Sequence, residues 1–395
     1  MVKSVGSRAS YSMLESLFWA SLCTLAFHVL FLRDCGFDSV QVGYILAASN
    51  VTSCVAPVAW GYLSDCLHSV KKVFLIACTV LAASTFLMPA TREMTIGRIP
   101  CPAIMLIVYM AAYSGAYSLL DVWIIRICER SAGKLYYSGI RMWGSIGYAS
   151  ACFLLTGIAN QRGIATVYYI AVVLAGLLLF WAWKQKEVDY QNKAKARKMS
   201  VRPLLGNRQF LILLAYNFVI HFVVYESSNY MPYLMQEMGL NESLYSAISG
   251  LRGLTEVPIL VFGSKLGKRL GANRFLMIAG GLYCLEHSLY LVSGSLLHII
   301  ILQGLEGIAY GFFLSVSSQR VFELAPQEIG ATAQSLMTSF VFIANIAASL
   351  LGGYVVGWFG ARKLYLFTAI LQVSATALYM MFSCSEKDDL RKNDL

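Results

Sequence analysis

Long apolar runs separated by short polar segments repeat along the whole chain. Most of these runs reach the roughly 20 residues that an α-helix needs to cross a lipid bilayer. They are too long and too continuous for the strands of a membrane barrel. The pattern therefore predicts an all-α membrane protein with twelve transmembrane helices, near residues 11–32, 39–63, 72–90, 101–127, 138–158, 163–183, 208–236, 243–266, 274–293, 296–322, 330–357 and 362–383.

One polar and basic stretch, Lys184 to Arg208, interrupts the pattern and divides it into two halves of six spans. The halves also resemble each other at an offset of about 200 residues, as expected of parallel transporter repeats: Gly61–Lys72 follows the second span as Phe262–Arg274 follows the eighth. We therefore predict two pseudo-symmetric six-helix bundles. The predicted domains are the N-terminal bundle at 1–183, a cytoplasmic linker at 184–207, the C-terminal bundle at 208–385 and a cytoplasmic tail at 386–395.

Composition agrees with lipid as the solvent. Of the 395 residues, 58% are hydrophobic and 13% are charged, whereas soluble domains carry roughly 25% charged residues. Most of the 31 Lys and Arg residues fall on one side of the predicted spans, and such an excess marks the cytoplasmic side. We expect a multi-pass protein of the cell membrane with both termini in the cytoplasm. No basic platform outside the spans suggests a nucleic-acid partner.

Acidic residues inside the apolar runs are the main functional signal, because carboxylates in hydrocarbon are costly and mark substrate or ion pathways. The acids of this kind are Glu15, Asp121, Glu226, Glu256, Glu286 and Glu306. Glu15 lies about one turn inside its span, which favours a plain interfacial residue. Polytopic proteins with buried acids are first of all transporter candidates.

Three of these acids are candidates for proton coupling. Glu306 is flanked by Gly304 and Gly307, which allow close helix contact. A carboxylate buried there is suited to load and release a proton; the alternative is a structural hydrogen bond to a facing Ser or Tyr. Glu286 is either a coupling residue or the partner of an arginine. Glu256 lies four residues after Arg252, so it is either a substrate or proton site or half of a self-neutralised pair.

The substrate-binding candidates combine charge with aromatic surface. Glu226 and Tyr230 lie in the most polar stretch of any span, which Pro232 is expected to break. Asp121 is expected to point inward, whereas Arg141 contacts either substrate or another helix. Trp19 and Trp123 are further pocket candidates, with packing as the alternative for each.

Several motifs resemble those of the major facilitator superfamily. Gly61, Leu63 and Asp65, with Lys71 and Lys72, resemble its G-x-L-x-D-R-x-G-R-[RK] gating loop, although Cys66 replaces the arginine and His68 the glycine. The finer match is GIRMWGSIGYA (Gly139–Ala149), which is similar to the Y-G-R-x-R-x-[WF]-G-S-x-[GA] signature of oligosaccharide–proton and nucleoside–proton symporters. Further similarities lie at Gly36–Gly43, Asp121, Glu256 and Gly330–Gln334.

This resemblance implies a fold of two six-helix bundles that alternate access to a central site. It also implies that Arg141 and Glu256 contact sugar hydroxyls, as the matching residues do in the lactose permease and phenylpropionate transporter branch. The chain departs from that branch in the proton relay. Glu286 stands where lactose permease has an arginine, Glu306 where it has a histidine, and Ala309 where it has the proton-carrying glutamate.

The sequence thus predicts a secondary transporter that couples a small organic solute to a proton gradient, with sugars or oligosaccharides first and nucleosides or aromatic acids second. An exporter of drugs or amphiphiles and a membrane nutrient sensor that binds without transport are the alternatives. Walker, nucleophile-elbow and metal-ligand motifs are absent from the sequence. We therefore expect no enzyme, no cofactor and no metal, and a monomer whose partners are its solute, protons and lipid.

Overall fold

The apolar runs fold as helices because a helix satisfies its backbone hydrogen bonds internally, which lipid cannot do for it. The computed structural model describes residues 7–131, 135–185, 202–325 and 329–393. The helices are α1 (Arg8–Ser21), α2 (His28–Asp34), α3 (Ser39–Cys66), α4 (Val70–Ala90), α5 (Cys101–Arg130), α6 (Tyr137–Arg162), α7 (Ile164–Lys184), α8 (Arg202–Leu205), α9 (Arg208–Glu237), α10 (Tyr245–Leu270), α11 (Ala272–Tyr290), α12 (Leu296–Leu324), α13 (Gly330–Phe359) and α14 (Ala361–Asn393). A two-residue hairpin, β1 (Thr95–Ile96) with β2 (Ile99–Pro100), precedes α5.

Each predicted span coincides with helical structure, and an all-helical membrane fold is confirmed. Within the described ranges, nine helices are long and apolar enough to cross a membrane, and α1 with α2 forms one further, bent span. The predicted eighth and ninth spans are α10 and α11. Neither is among the nine over its described residues, and the two helices carry Arg252, Glu256 and Glu286.

The first span differs from its prediction, because it is not one helix over residues 11–32. It bends by 40° between Arg8–Ala26 and His28–Asp34, and a short 3₁₀ turn at Cys23–Ala26 stands between the two α-helices. Ser21 Oγ donates to the Phe18 carbonyl, a side-chain bond that competes with the helical pattern. Thr24 bonds Tyr109, and the His28 ring bonds Tyr168. These polar contacts hold the bend inside the bundle.

The expected break at Pro232 is wrong, since α9 runs through it without interruption from Arg208 to Glu237. Neighbouring helices can hold a proline-containing membrane helix together, and Tyr230 supplies such a contact to the Ser349 carbonyl of α13. The end of the chain also differs, because α14 continues to Asn393, through the predicted tail. Most of the predicted linker, residues 186–201, lies outside the described residues.

The predicted internal repeat appears in the helix ends. In the first half, Gly36 has φ 88° and ends α2, while the Phe37 N–H donates to the Leu32 carbonyl. About 200 residues later, Gly239 has φ 70° and follows the C-terminus of α9, and the Leu240 N–H donates to the Met235 carbonyl. Both ends are Schellman motifs, which need a residue with positive φ. Glycine therefore recurs at this position in the two halves.

The helices group into two compact units. The first contains α1–α7 together with Glu242–Gly250, and the second contains α8, α9, residues 251–270 of α10, and α11–α14. Large apolar side chains remain exposed on helices of both units, including Leu154, Phe180 and Trp183 in the first and Trp358, Phe359 and Met381 in the second. Exposed apolar surface of this extent is typical of helices that face lipid.

Candidate functional site

The first unit brings an arginine and a tryptophan together. The Arg141 guanidinium carbon of α6 lies 4.4 Å from the centroid of the Trp19 ring of α1. Tyr117 and Tyr148 meet the same indole edge-on, with centroid distances of 5.7 and 6.3 Å. A cation over an indole face is attracted by the negative face of the ring. Arg141 and Trp19 are both partly buried, so the pair combines charge with a flat aromatic surface.

Two glycines of the GIRMWGSIGYA motif explain how α1 approaches α6 this closely. A Cβ at Gly144 would lie 2.4 Å from the Trp19 ring, and a Cβ at Gly147 would lie 2.3 Å from the Ser16 carbonyl oxygen. Real Cβ atoms do not approach other atoms so closely. The motif therefore does two things: its arginine supplies the charge, and its glycines let α1 place Trp19 on that charge.

Asp121 of α5 belongs to the same group. The Tyr137 hydroxyl donates to Asp121 Oδ1 at 2.7 Å, and Tyr117 lies near this carboxylate. Arg141 is close enough to Asp121, Tyr117 and Tyr137 to interact with them electrostatically. The inward orientation expected for Asp121 agrees with these contacts. Arg141, Trp19 and Asp121 therefore lie in one polar, aromatic group. We call this group, together with Glu15, Tyr117 and Tyr137, the arginine–tryptophan cluster.

Glu15 is the residue of this cluster that the sequence reading placed wrongly. It was expected at an interface, but its side chain is fully buried, with Arg141 and Trp19 as its polar neighbours. Glu15 and Trp19 are four residues apart and therefore share a face of α1. This spacing was the available signal. Trp123 is not brought to the cluster; it packs edge-on against Phe74 in the core, with 5.7 Å between ring centroids.

The second unit holds its arginine differently. The Arg252 Nη1 atom of α10 lies 3.0 Å from Glu306 Oε1 of α12, and Glu306 is completely buried. The other carboxylate oxygen of Glu306 accepts from Ser227 Oγ at 2.8 Å and from Gln303 Nε2 at 2.6 Å. Glu306 thus has a basic partner that the sequence reading did not foresee. That reading paired Arg252 only with Glu256, the acid on its own helix.

A second acid adjoins this ion pair. Glu286 of α11 is fully buried, and its polar neighbours are Glu306 and Tyr290. The nearest His287 nitrogen lies 4.0 Å from Glu286 Oε2. Tyr290 in turn accepts from Gln303 Nε2 at 3.0 Å. We call Arg252, Glu286, Gln303, Glu306 and Ser227 the carboxyl-pair cluster. It brings two acids of the predicted proton-coupling set together with one cation.

Glycines of α12 allow this arrangement, as the sequence predicted. A Cβ at Gly307 would lie 2.3 Å from the Arg252 carbonyl oxygen, and a Cβ at Gly311 would lie 3.1 Å from the Glu256 carbonyl oxygen. The backbone of α10 therefore lies directly on α12. Glu256 is partly buried on this part of α10, one helical turn from Arg252.

Glu226 and Tyr230 lie on another face of the second unit. Tyr230 donates to the Ser349 carbonyl at 2.6 Å, and Glu226 is buried against Gly352 of α13. The expectation that this stretch lines an open cavity does not match these positions, because both side chains are packed between α9 and α13. Ser227 and Gln303 were not singled out from the sequence; uncharged polar residues inside apolar runs were the signal for them.

The predicted gating loop joins α3 to α4. Gly61 lies in α3 and Asp65 is exposed near its end. Lys71 donates to the carbonyls of Trp183 and Gln185 at the end of α7, where a cation is favoured by the helix dipole. Lys72 is exposed, and its backbone N–H donates a hydrogen bond to Ser69 Oγ. His68, which stands in place of the motif's glycine, has φ 50°, a left-handed conformation that favours glycine.

A family model decides the class of protein. The MFS_1-like family model matches residues 9–367. The chain belongs to this family. It is therefore a multi-pass membrane transporter of the major facilitator superfamily, and its resemblance to the sugar and nucleoside symporters of that superfamily is supported by the proteins that it matches.

Three relatives of this transporter span most of its length. The uncharacterized transporter YwbF of Bacillus subtilis is 24% identical over 352 residues, which are 88% of this chain and 86% of YwbF. The maltose permease of Geobacillus stearothermophilus is 22% identical over 90% of this chain and 89% of its own. The multi-drug resistance efflux pump PmrA of Streptococcus pneumoniae is 22% identical over 91% and 89%.

Solved structures show the same fold. A variant of the nucleoside transporter NupG superposes with a TM-score of 0.81 at 17% identity, covering 95% of this chain and 99% of NupG. A D-xylose–proton symporter superposes with a TM-score of 0.72 at 14% identity, covering 94% and 96%. At these identities the likeness concerns the fold of the transporter and not its solute.

Proposed function

We propose that this transporter imports a hydroxyl-rich solute, a sugar, an oligosaccharide or a nucleoside, in symport with a proton. The observation that carries this proposal is the Arg141 guanidinium over Trp19, beside Asp121. A guanidinium presents several N–H donors in a fixed plane and can bind two hydroxyls at once. A carboxylate accepts from hydroxyls, and an indole ring packs against a sugar ring or a base. Together these groups match the surface of such a solute.

The proton belongs, in this proposal, to the carboxyl-pair cluster. Arg252 balances one carboxylate, so Glu306 and Glu286 together carry one negative charge in excess when both are ionised. Two neighbouring buried acids do not both ionise readily, because like charges repel at short distance. A single proton shared by this pair makes the cluster neutral. Glu256, one turn from Arg252, is proposed as a solute contact, as the family resemblance implies.

The first test is a thermal-shift screen of the purified protein with sugars, nucleosides, aromatic acids and lipophilic cations. A ligand at 100 times its Kd stabilises the protein by about 2.7 kcal/mol, which is a measurable shift. We expect hits among sugars or nucleosides that Trp19→Ala and Arg141→Ala weaken. Trp183→Ala is the matched control, because Trp183 is exposed on α7. Sugar hits that survive both cluster variants would overturn the assigned site.

A second test addresses the proton. In proteoliposomes, an imposed pH gradient is expected to drive uptake of the solute found in the screen. Glu286→Gln and Glu306→Gln are expected to abolish that drive and to keep exchange of solute across the membrane. Uptake that follows the pH gradient equally well in both variants would remove proton coupling from this cluster.

Export of lipophilic cations is the second candidate function. The PmrA relative and the buried acids of the carboxyl-pair cluster support it, since a carboxylate in an apolar surrounding attracts a hydrophobic cation. Hits only among lipophilic cations, with export from loaded vesicles, would favour this candidate. A sensor without transport would instead show saturable binding and no flux.

We also propose that both termini face the cytoplasm, that Gly61, Asp65, Lys71 and Lys72 act in gating, and that the protein works as a monomer. The asymmetry of Lys and Arg supports the orientation.

Cys66 is exposed beside the α3–α4 loop. In a variant that keeps only this cysteine, a membrane-impermeant maleimide should react in inside-out vesicles and not in intact cells; the reverse result would invert the topology.

A further inference from the structure

Glu226 is buried in a contact that contains no partner for a charge. Its side chain is 1% exposed, and neither carboxylate oxygen has a hydrogen-bond partner within the part of the chain that the structure describes. A Cβ added to Gly352 would lie 2.6 and 2.7 Å from the two carboxylate oxygens. The carboxyl group of α9 therefore lies directly on the backbone of α13.

The groups that the structure shows against Glu226 are uncharged. From its own helix, Tyr225 and Tyr230 are neighbours, and Tyr230 donates its hydroxyl to Ser349 of α13 and not to the acid. From α13, Gly352 presents only backbone. The charged pair of α10 and α12, Arg252 with Glu306, is bound by Ser228 and Ser227 of α9 and not by Glu226.

An ionised carboxylate in such a place would lose its hydration without gaining a hydrogen bond or an ion pair. That loss costs several kcal/mol or more. A carboxylic acid is neutral and can be buried at far lower cost. The contact between α9 and α13 is thus compatible with Glu226 when it holds a proton, and ionisation of Glu226 opposes the contact.

We propose that Glu226 holds a proton whenever α13 lies on α9, and that it releases this proton only when the two helices separate and water reaches the carboxyl group. Glu226 is then a second proton site of the transport cycle, distinct from the carboxyl-pair cluster. It links the packing of α13 to the proton gradient. The step is a simple transfer of a proton from the Glu226 carboxyl to water, without any other change of bonds. This inference rests on the proposed proton coupling for its role in transport, but not for the protonation itself.

Infrared spectroscopy of the purified full-length protein tests the protonation without transport. At neutral pH we expect the carbonyl stretching band of a protonated carboxylic acid in an apolar, non-hydrogen-bonded site. Glu226→Gln should remove that band, because glutamine has the shape of the protonated acid and no acidic proton. Glu286→Gln is the matched control in the other cluster and should leave the band in place. A difference spectrum of wild type minus Glu226→Gln that lacks the band would overturn the proposal.

Glu226→Asp is a second variant that keeps the test valid if the glutamine variant does not fold. The shorter acid should keep a protonated band at a shifted position, which a purely structural role would not require. In proteoliposomes, Glu226→Gln should lose accumulation of solute against its gradient and retain solute exchange. Failure of the infrared result with intact proton-driven uptake would reject this inference alone. The expected infrared result without any proton-driven uptake would reject the proposed coupling and keep the protonated acid.

Discussion

In the first unit the guanidinium of Arg141 lies on an aromatic face, 4.4 Å from the Trp19 centroid, whereas in the second unit that of Arg252 lies 3.0 Å from a fully buried carboxylate. The first arrangement leaves part of the donor capacity of the arginine for a ligand. The second places the charge of the arginine against Glu306, with Glu286 nearby. Two related halves of one chain thus hold the same residue type in different surroundings. In the proposed function, the first binds the solute and the second binds the proton.

The largest difference between the halves should appear when each arginine is removed. Arg252→Ala leaves Glu306 buried without its cation, and breaking a buried pair costs about 3–5 kcal/mol. Arg141→Ala removes a contact to an aromatic ring and should cost no more than about 2 kcal/mol. Unfolding of both variants in the same detergent measures the contrast. Adding Glu306→Gln to Arg252→Ala should restore much of the stability. Equal losses for the two arginines would contradict the distinction.

A smaller effect tests the helix contact that positions Trp19. In Gly147→Ala the new Cβ would meet the Ser16 carbonyl oxygen at 2.3 Å, and overpacking of this kind costs about 1–3 kcal/mol. The substitution should also weaken solute binding, since α1 carries Trp19. The matched control is Gly157→Ala in the same helix, where nothing lies within 4 Å of the new Cβ. That control should be neutral or slightly stabilising. A neutral Gly147→Ala would show that the two helices have room to separate.

The sequence was sufficient for the fold and for much of the first cluster, but not for the pairing in the second. The long apolar runs predicted the helices. The GIRMWGSIGYA motif contains both Arg141 and the glycines that let Trp19 of α1 approach it. The partner of Arg252 was missed because helical spacing shows only neighbours on the same helix, such as Glu256. Glu306 reaches Arg252 from another helix, so only the packing of α10 on α12 brings them together. The same limit explains why Glu226 was expected in a cavity: the sequence shows its polar neighbours along α9 and not Gly352 of α13.

Arg141→Lys separates the charge of the first cluster from its shape. Lysine keeps a positive charge at this position, so the free energy of unfolding should change little. It lacks the planar fork that stacks on Trp19 and binds two hydroxyls at once. We therefore expect solute affinity to fall about tenfold, or about 1.4 kcal/mol. Binding titrations of both proteins with the solute from the thermal screen measure this change. Full affinity in Arg141→Lys would show that only the charge matters.

The smallest expected effect compares two corresponding turns, one after α3 in the first half and one after α10 in the second half. His68 in the first half has φ 50°, and Gly271 in the second half has φ 87°. A left-handed conformation costs an L-residue roughly 1–2 kcal/mol, while glycine adopts it freely but makes the unfolded chain more flexible. His68→Gly should therefore stabilise the protein by no more than about 1 kcal/mol, measured as a small rise in the unfolding temperature. Gly271→Ala should destabilise it by a larger amount, because φ 87° with ψ 143° is a backbone region that essentially only glycine adopts. If His68→Gly is destabilising, the histidine side chain contributes contacts at the gating loop that outweigh its strained backbone, and the two turns are not equivalent.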